Sequence, residues 1–412
     1  MKRKIAVIGS GIAGLTSAYI LSKNNDVSLF EANDYLGGHT HTFSVNTQET
    51  THAIDTGFIV FNKKTYPNFC KLLEVLNVPI QPSEMSFSYR SDFRRLEYSG
   101  RNLNTLFSNR WNLFKFDFYH FMKDILLFNV HAKKFLAQTN DMAITIHDFI
   151  NNNNYAVQFI DCYLIPMMAA IWSKNKKDTL NCSAAFILQF YNNHGLLDLF
   201  NRPKWYVIQQ GSKSYIQPMI AQLKDQVYLN AKVEQIKREK NKIQIMVNHQ
   251  EHLFDALVCA THSDQALAIL EKPTPEEINI LSGIKYTPNE VVLHTDSRVM
   301  PKNKRAWASW NYLDNQSDSP TLTYYMNRLQ SLHSRHDFFV SVNLSHDIAE
   351  NKIIQTFKYA HPCLNLTALQ AQKQINMIQG VNNTYYVGSY WGYGFHEDGV
   401  NSAINACKLL GS

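Results

Sequence analysis

The chain opens on an unbroken apolar run, Ile5-Ala6-Val7-Ile8, passes through glycines, and resumes with Leu15, Ala18, Tyr19 and Leu21 at helical spacing. A run apolar on both faces predicts a buried parallel strand, and the change of period after it predicts strand, tight turn and helix. Residues 26–31 return to strand character. Beyond them the pattern predicts short strands up to about 85, a helix near 66–76, and mostly helix over 100–200. A strand at 205–208 then leads through Gly211-Ser212 to a helix. A four-stranded meander is expected at 227–231, 233–237, 243–247 and 256–260, with the charged run 237–242 as a solvated hairpin tip. Further strands are expected near 290–295, 306–312, 322–326 and 338–343, then a last strand at 385–388 and a helix over 399–410.

Phe107, Trp111, Phe114, Phe118, Phe121, Ile125, Phe128, Ala132 and Phe135 recur every three or four residues, which predicts one buried face of a long helix. Leu113, Phe116 and Leu127 fall on the other side. A helix apolar on both sides is read as domain core; because bases outnumber acids between 101 and 135, a membrane-facing or substrate-tunnel wall is the alternative.

The glycines carry the chemistry. Gly9-Ser10-Gly11-Ile12-Ala13-Gly14 has the G-x-G-x-x-G spacing, and Glu31 follows at the expected distance of about 20 residues. Gly9 permits the turn, Gly11 leaves room for a phosphate, and Gly14 lets the helix pack on the sheet. Glu31, with Ala32 beside it, would accept hydrogen bonds from a ribose diol and would repel a 2′-phosphate. Gly37-Gly38 would bring further backbone to the phosphates. A signal peptide is the competing reading of the basic, apolar start; fixed glycine spacing and no small-residue cleavage site argue against it.

At 412 residues two domains are expected. A net charge of +6 is mild for this length, and no basic run accompanies a nucleic-acid module, so nucleic acid is not expected as a partner. Six cysteines without C-x-x-C pairs suit free thiols in a reducing compartment, and the expected location is cytoplasmic, with peripheral membrane contact left open. His39-Thr40-His41 could suggest a metal, but neighbouring cofactor contacts explain the pair better, and no metal is expected.

Three further strings extend the pattern: Asp55-Thr56-Gly57-Phe58-Ile59-Val60-Phe61-Asn62, Trp307-Ala308-Ser309-Trp310-Asn311-Tyr312 and Gly392-Tyr393-Gly394-Phe395-His396-Glu397-Asp398-Gly399. With Leu36-Gly37-Gly38-His39-Thr40-His41-Thr42 and Leu293-His294-Thr295-Asp296, they resemble the FAD-dependent amine-oxidase-like superfamily. Within it they are similar to a bacterial branch of FAD-binding oxidoreductases and to the flavoprotein-like domain at the N-terminus of plant cyclopropane fatty acid synthases. The resemblance implies an α/β fold. A Rossmann-like FAD domain would be assembled from segments 1–85, 203–270 and 379–412, with an inserted α+β substrate domain from 86–202 and 271–378.

It also implies FAD rather than NAD. Gly9, Gly11, Ile12, Ala13, Gly14, Glu31, Ala32, Gly37, Gly38, His39, Thr40, Gly57 and Phe58 would hold the cofactor, and Val233 would flank its adenine. Gly388 and Ser389 would lie near the ribityl chain, and Gly399, Val400 and Asn401 would open a helix aimed at flavin N1 and C2=O. His39 stands where the superfamily usually has arginine, which implies a weaker or pH-dependent pyrophosphate contact. His396 stands where monoamine oxidases place a cage tyrosine, and no lysine falls near Pro288-Asn289-Glu290-Val291. Cys407 lies inside the last helix, so a noncovalent flavin is expected. The candidate catalytic residues are His396, Glu397 and His294, with Asp296, Trp310 and Tyr312 as weaker ones. The expected activity is FAD-dependent hydride transfer from a small-molecule or lipid substrate, an apolar acyl lipid first. The alternatives are a primary-amine or polyamine oxidase and a non-catalytic flavin-binding partner of a lipid-modifying methyltransferase. Oligomeric state is not legible.

Overall fold

A computed structural model describes residues 2–411 except 140, 201, 240, 241 and 318. Strand β1 (Lys4–Ile8) is buried from Ile5 onward, helix α1 (Ile12–Leu21) follows, and β2 (Asp26–Phe30) pairs in parallel with β1, Ile8 beside Phe30. These strands belong to a five-stranded sheet in the order Val227–Tyr228, β2, β1, Ala256–Cys259, Thr384–Tyr386, every pair parallel. A parallel sheet must be covered on both faces. On β1, Ile5 and Val7 pack with Leu15, Val258 and Val400, while Ala6 and Ile8 face Ile245 and Phe254. The continuous apolar run is thus split by the pleat between two cores.

The meander differs from expectation. Val227–Tyr228 and Ala256–Cys259 are parallel-sheet strands, and the antiparallel three-stranded sheet is Val233–Glu239, Lys242–Val247 and Gln250–Phe254. The hairpin tip at 240–241 lies outside the described residues. The expectation of a solvated loop fails at Arg238. Its side chain is 5% exposed and grips the fully buried Glu277, which also accepts from the Tyr386 hydroxyl. Losing one partner of such a pair costs about 3–5 kcal/mol.

A second, seven-stranded sheet runs Ile353–Cys363, Lys285–His294, Phe339–Val342, Leu322–Tyr325, Trp310–Asp314, Phe87–Ser91, Leu96–Ser99. Only Trp310–Asp314 and Phe87–Ser91 pair in parallel. Between the sheets in sequence come the helices, including Phe116–Gln138 and Ala184–Asn193. The long helix starts at Phe116, not near 107. Trp111 and Phe114 sit in the preceding 3₁₀ turn and are exposed, while Phe118, Phe121, Phe128 and Ala132 are buried as expected. Among the described residues no helix is long and apolar enough to cross a membrane. The cysteines are all free.

Candidate functional site

At the C-terminal end of β1 the chain makes its tight turn. Gly9 has φ +96°, and a Cβ there would lie 2.9 Å from the Ala260 carbonyl oxygen. At Gly14 a Cβ would come within 1.9 Å of the Gly9 oxygen, so only glycine lets α1 lie this close to the strand. At Gly11, by contrast, a Cβ would meet nothing within 4 Å. That open space fronts the α1 N-terminus, which has no side-chain cap and no acid in its first turn. The N–H groups of Ile12 and Ala13 are therefore free to bind an anion. Gly38 lies over the loop, its Cβ position 3.3 Å from the Gly11 Cα, and the Gly57 Cβ position would strike the His39 carbonyl oxygen. The glycine loop, the doublet and the 55–62 segment are one construction.

Glu31 is buried, but its carboxylate is already engaged. Oε2 accepts from the Ser10 N–H and hydroxyl, and Oε1 from the Asn33 N–H and side-chain amide. These donors fill its acceptor sites, so a ribose diol would bind only by displacing the Asn33 amide. Ala32 is exposed beside it. The Ala231 N–H donates to the Glu31 carbonyl, which brings Val233 to the same end of the groove.

At the opposite end stands the final helix, His396–Leu409, which begins three residues earlier than expected, so His396 and Glu397 form its first turn. Its Gly399 packs on α1, the Cβ position 2.8 Å from Ile12 Cγ2. The predicted two ends of the cofactor site are thereby joined in one wall. Val400 is buried in the core shared with α1, the Gly388 N–H donates to Ser402, and Ser389 is half-buried in the preceding turn. Asn401 accepts from the Asn68 amide and so faces α2 (Pro67–Val75). The helix dipole is partly offset, because Glu397 and Asp398 both occupy the first turn.

His396 is the centre of a buried cluster. Its Nε2 is 3.0 Å from both Thr40 Oγ1 and the Tyr215 hydroxyl, which bond one another, and its ring stacks on Phe58 at 3.4 Å. Burial, reinforced by His39, holds its pKa well below the usual imidazole range, so it is neutral near pH 7. Nδ1 has no hydrogen-bond partner among the described residues. His39 points elsewhere, toward Tyr359, His361 and His262, with its Nε2 buried and unpartnered. Burial, then His361 and His262, push its pKa down to about 3. Near pH 7 the ring is therefore neutral and could offer a pyrophosphate a hydrogen bond but no charge. His41 diverges to stack on Tyr35 and bond Tyr359.

Two candidate catalytic groups are placed otherwise than expected. The Glu397 carboxylate accepts from the Asn68 and Phe69 N–H groups, and so caps α2, whose own N-cap Tyr66 offers no side-chain bond. Glu397→Ala is expected to lower unfolding free energy by about 1–3 kcal/mol; a denaturant titration that matches wild type would refute the capping role. His294 is fully buried, with Nε2 on Ser341 and Nδ1 accepting from the Asp296 N–H, while Asp296 itself binds Arg298. On its strand it lies eight residues beyond Tyr286, the residue stacked on His262, or about 26 Å. Neither ring nitrogen is left for a substrate. Trp310 and Tyr312 are half-buried strand residues, Tyr312 stacking on Tyr89.

Tyr215, His262 and His361, whose only signal is chemical type, escape the sequence reading, and two acids inside the motif strings have no role in it. Asp55 accepts from Thr42, Ser212 and Gln330, yet burial raises its pKa to about 6. Asp398 accepts from the Phe395 N–H under Gly392, and burial raises it to about 7. Next to it Phe395 stacks on Phe190, Tyr393 meets Phe186, and Trp172 packs on Phe190 and donates to the Tyr393 carbonyl. The final helix thus opens beside an aromatic cluster.

The open space at Gly11, the uncapped α1 N-terminus, the unpartnered His39 Nε2 and the continuous wall from Glu31 to Gly399 fit an extended dinucleotide. Comparisons agree in fold. At TM-score 0.69 and 16% identity the chain resembles a fatty acid isomerase from P. acnes that produces CLA, over 99% of this chain and 98% of that one. At TM-score 0.68 and 13% identity it resembles cyclohexylamine oxidase from Brevibacterium oxydans over the full length of both. A tryptophan 2-monooxygenase from Allorhizobium ampelinum is 35% identical over 112 residues, which is 26% of this chain; the matched stretch spans only 12% of that protein. The family model of flavin containing amine oxidoreductases matches residues 12–337, most of both sheets. The chain belongs to the flavin containing amine oxidoreductase family, FAD-dependent oxidoreductases with a Rossmann-like fold.

Proposed function

We propose that the protein oxidises or desaturates an apolar substrate, an acyl lipid first among them. When bound, FAD supplies the acceptor for a hydride from a substrate carbon. The uncapped N-terminus of α1 with Gly11, Gly37 and Gly38 would hold the pyrophosphate, and Val233 the adenine end. Thr40, Gly57, Phe58, Gly388, Ser389 and the start of the final helix would meet the flavin end. The segments 1–85, 203–270 and 379–412 would form the cofactor domain, and the remainder the substrate domain.

The observation that carries the substrate reading is the environment of the final helix. Its neighbours are the rings of Trp172, Phe186, Phe190, Tyr393 and Phe395, and its two acids are already committed, Glu397 to α2 and Asp398 to the Phe395 turn. Among the described residues no free carboxylate remains there to receive an ammonium group, whereas an acyl chain gains about 25 cal/mol per Å² of apolar surface it buries. These rings would also exclude water from a substrate bound beside them. His396, neutral and held by Thr40 and Tyr215, would orient the substrate and carry one proton through Nδ1. The sequence strings that resemble the flavoprotein-like domain of plant cyclopropane fatty acid synthases support the same substrate class.

Anaerobic mixing of the purified flavoprotein with a panel of unsaturated fatty acids, phospholipids and amines tests this. Bleaching of the flavin band by a lipid supports the reading. Bleaching by amines alone assigns an amine oxidase, and a flavin that no substrate reduces assigns the non-catalytic partner of a methyltransferase.

A further inference from the structure

The surface around the start of the long helix combines two features that soluble surfaces normally separate. Trp111, Phe114 and Phe116 are 74%, 79% and 83% exposed, with Leu103, Leu113 and Tyr119 exposed beside them. Along the helix the same outward stripe continues through Tyr119, Lys123, Leu126 and Val130, all exposed, for about 21 Å from Phe116. Interleaved with the rings are Arg110, Lys115 and Lys123, all exposed. Among the described residues none of these three pairs with a carboxylate. Arg110 donates only to the Asn104 amide oxygen and the Phe107 carbonyl. The acids nearby are Asp117, exposed in the first helical turn, and Asp124, which accepts from the Ala156 N–H.

We propose that this surface docks on a bilayer of anionic phospholipid, with the Trp111, Phe114 and Phe116 rings at acyl-chain depth and Arg110, Lys115 and Lys123 on the headgroup phosphates. Aromatic and aliphatic side chains mixed with bases on one exposed surface match the boundary between headgroups and acyl chains, where apolar side chains bury themselves and each base adds attraction to anionic lipid. A second copy of the chain is the less suitable occupant, because a two-fold contact would set these bases against themselves. The opposite face of the helix is buried. Phe128 touches Phe149 and Tyr191, and the helix of Tyr191, Ala184–Asn193, carries Phe186 and Phe190 to Tyr393 and Phe395. The docking face thus backs onto the aromatic cluster through one intervening helix. The proposal goes beyond the substrate reading and stands whether or not the substrate is a lipid.

The test is co-sedimentation of the full-length flavoprotein with vesicles of phosphatidylcholine alone and of phosphatidylcholine mixed with phosphatidylglycerol. Binding is expected only to the mixed vesicles, and to weaken with salt. W111S/F114S/F116S and R110E/K115E each should reduce that binding by about tenfold or more, with flavin content and melting temperature unchanged because all five side chains are exposed. Wild-type protein that stays in the supernatant with both vesicle types overturns the proposal. So do variants that bind as wild type does, or a concentration-dependent dimer that the aromatic triple variant abolishes while vesicle binding persists.

Discussion

Gly11→Asp is expected to give a folded but colourless protein, while Gly14→Ala gives one that folds poorly with or without flavin. The two glycines belong to one six-residue motif, yet the structure assigns them different work. Gly11 has φ −61° and ψ 174°, an ordinary extended conformation that any residue adopts, and its Cβ would project into open space. Aspartate there would be a favourable N-cap for α1 and would interact with the helix dipole, so the flavin-free protein should be unchanged or up to about 1 kcal/mol more stable. The same carboxylate would occupy the anion site with a like charge. Losing charge-assisted contacts worth about 3 kcal/mol should weaken FAD by at least about a hundredfold. At Gly14 a methyl would lie 1.9 Å from backbone oxygen and 3.1 Å from Ala260 Cβ, with no flexible side chain to give way. Helix α1 must lift from the sheet, at a cost of about 2–4 kcal/mol. Flavin content and the melting temperature of the deflavinated protein separate the cases. A Gly11→Asp protein that purifies with full flavin would show that the anion site is elsewhere.

Acid should unfold the protein steeply. His39, His194, His294, His361 and His396 are all held neutral, with His194, His294 and His396 buried and His39 and His361 half-buried. Their pKa values are down to about 3 for His39, to about 4 for His194, His294 and His361, and well below 6.5 for His396, in each case chiefly through loss of solvation. In the unfolded chain each takes up a proton near pH 6.5. A depressed imidazole contributes stability that is present above the unfolded pKa and is lost as pH falls toward the folded one. Asp55 and Asp398 act in the opposite sense, since burial keeps them protonated in the fold up to about 6 and about 7. Near pH 5, five imidazoles against two carboxyls leave the unfolded state about three protons richer, a slope on the order of 4 kcal/mol per pH unit. Urea midpoints should fall sharply from pH 6.5 to pH 5 and change little from 6.5 to 7.5. A midpoint independent of pH over the acid range would mean that these rings are charged or solvated in the fold.

What the sequence disclosed was local. The β1, α1, β2 unit lay open because glycine spacing and hydrophobic period act over a few residues, and the buried rings Phe118, Phe121 and Phe128 followed from period alone. What it concealed depends on partners far along the chain. Val227–Tyr228 and Ala256–Cys259 flank the antiparallel strands in sequence and read as part of the meander, but are claimed by β2 and β1. Arg238 sits in a charged run and reads as solvated until Glu277 arrives beside it. Trp111 and Phe114 keep helical spacing through a 3₁₀ turn, so their period could not reveal that they face outward. The long strand Ile353–Cys363 escaped notice because of Pro362 and its mixed pattern, and with it His361. Glu397 had the right address for chemistry, since it stands beside His396 on the final helix. Its carboxylate turns to α2 because that helix has no cap of its own. The cofactor half of the site was therefore legible as a motif, and the substrate half only as a list of residue types.

The most direct test of the account is the FAD content of the purified wild-type protein, measured from the flavin released on denaturation and again after reconstitution. One FAD per chain is expected, released on unfolding without a covalent remainder. A colourless protein that takes up no FAD on reconstitution would contradict it.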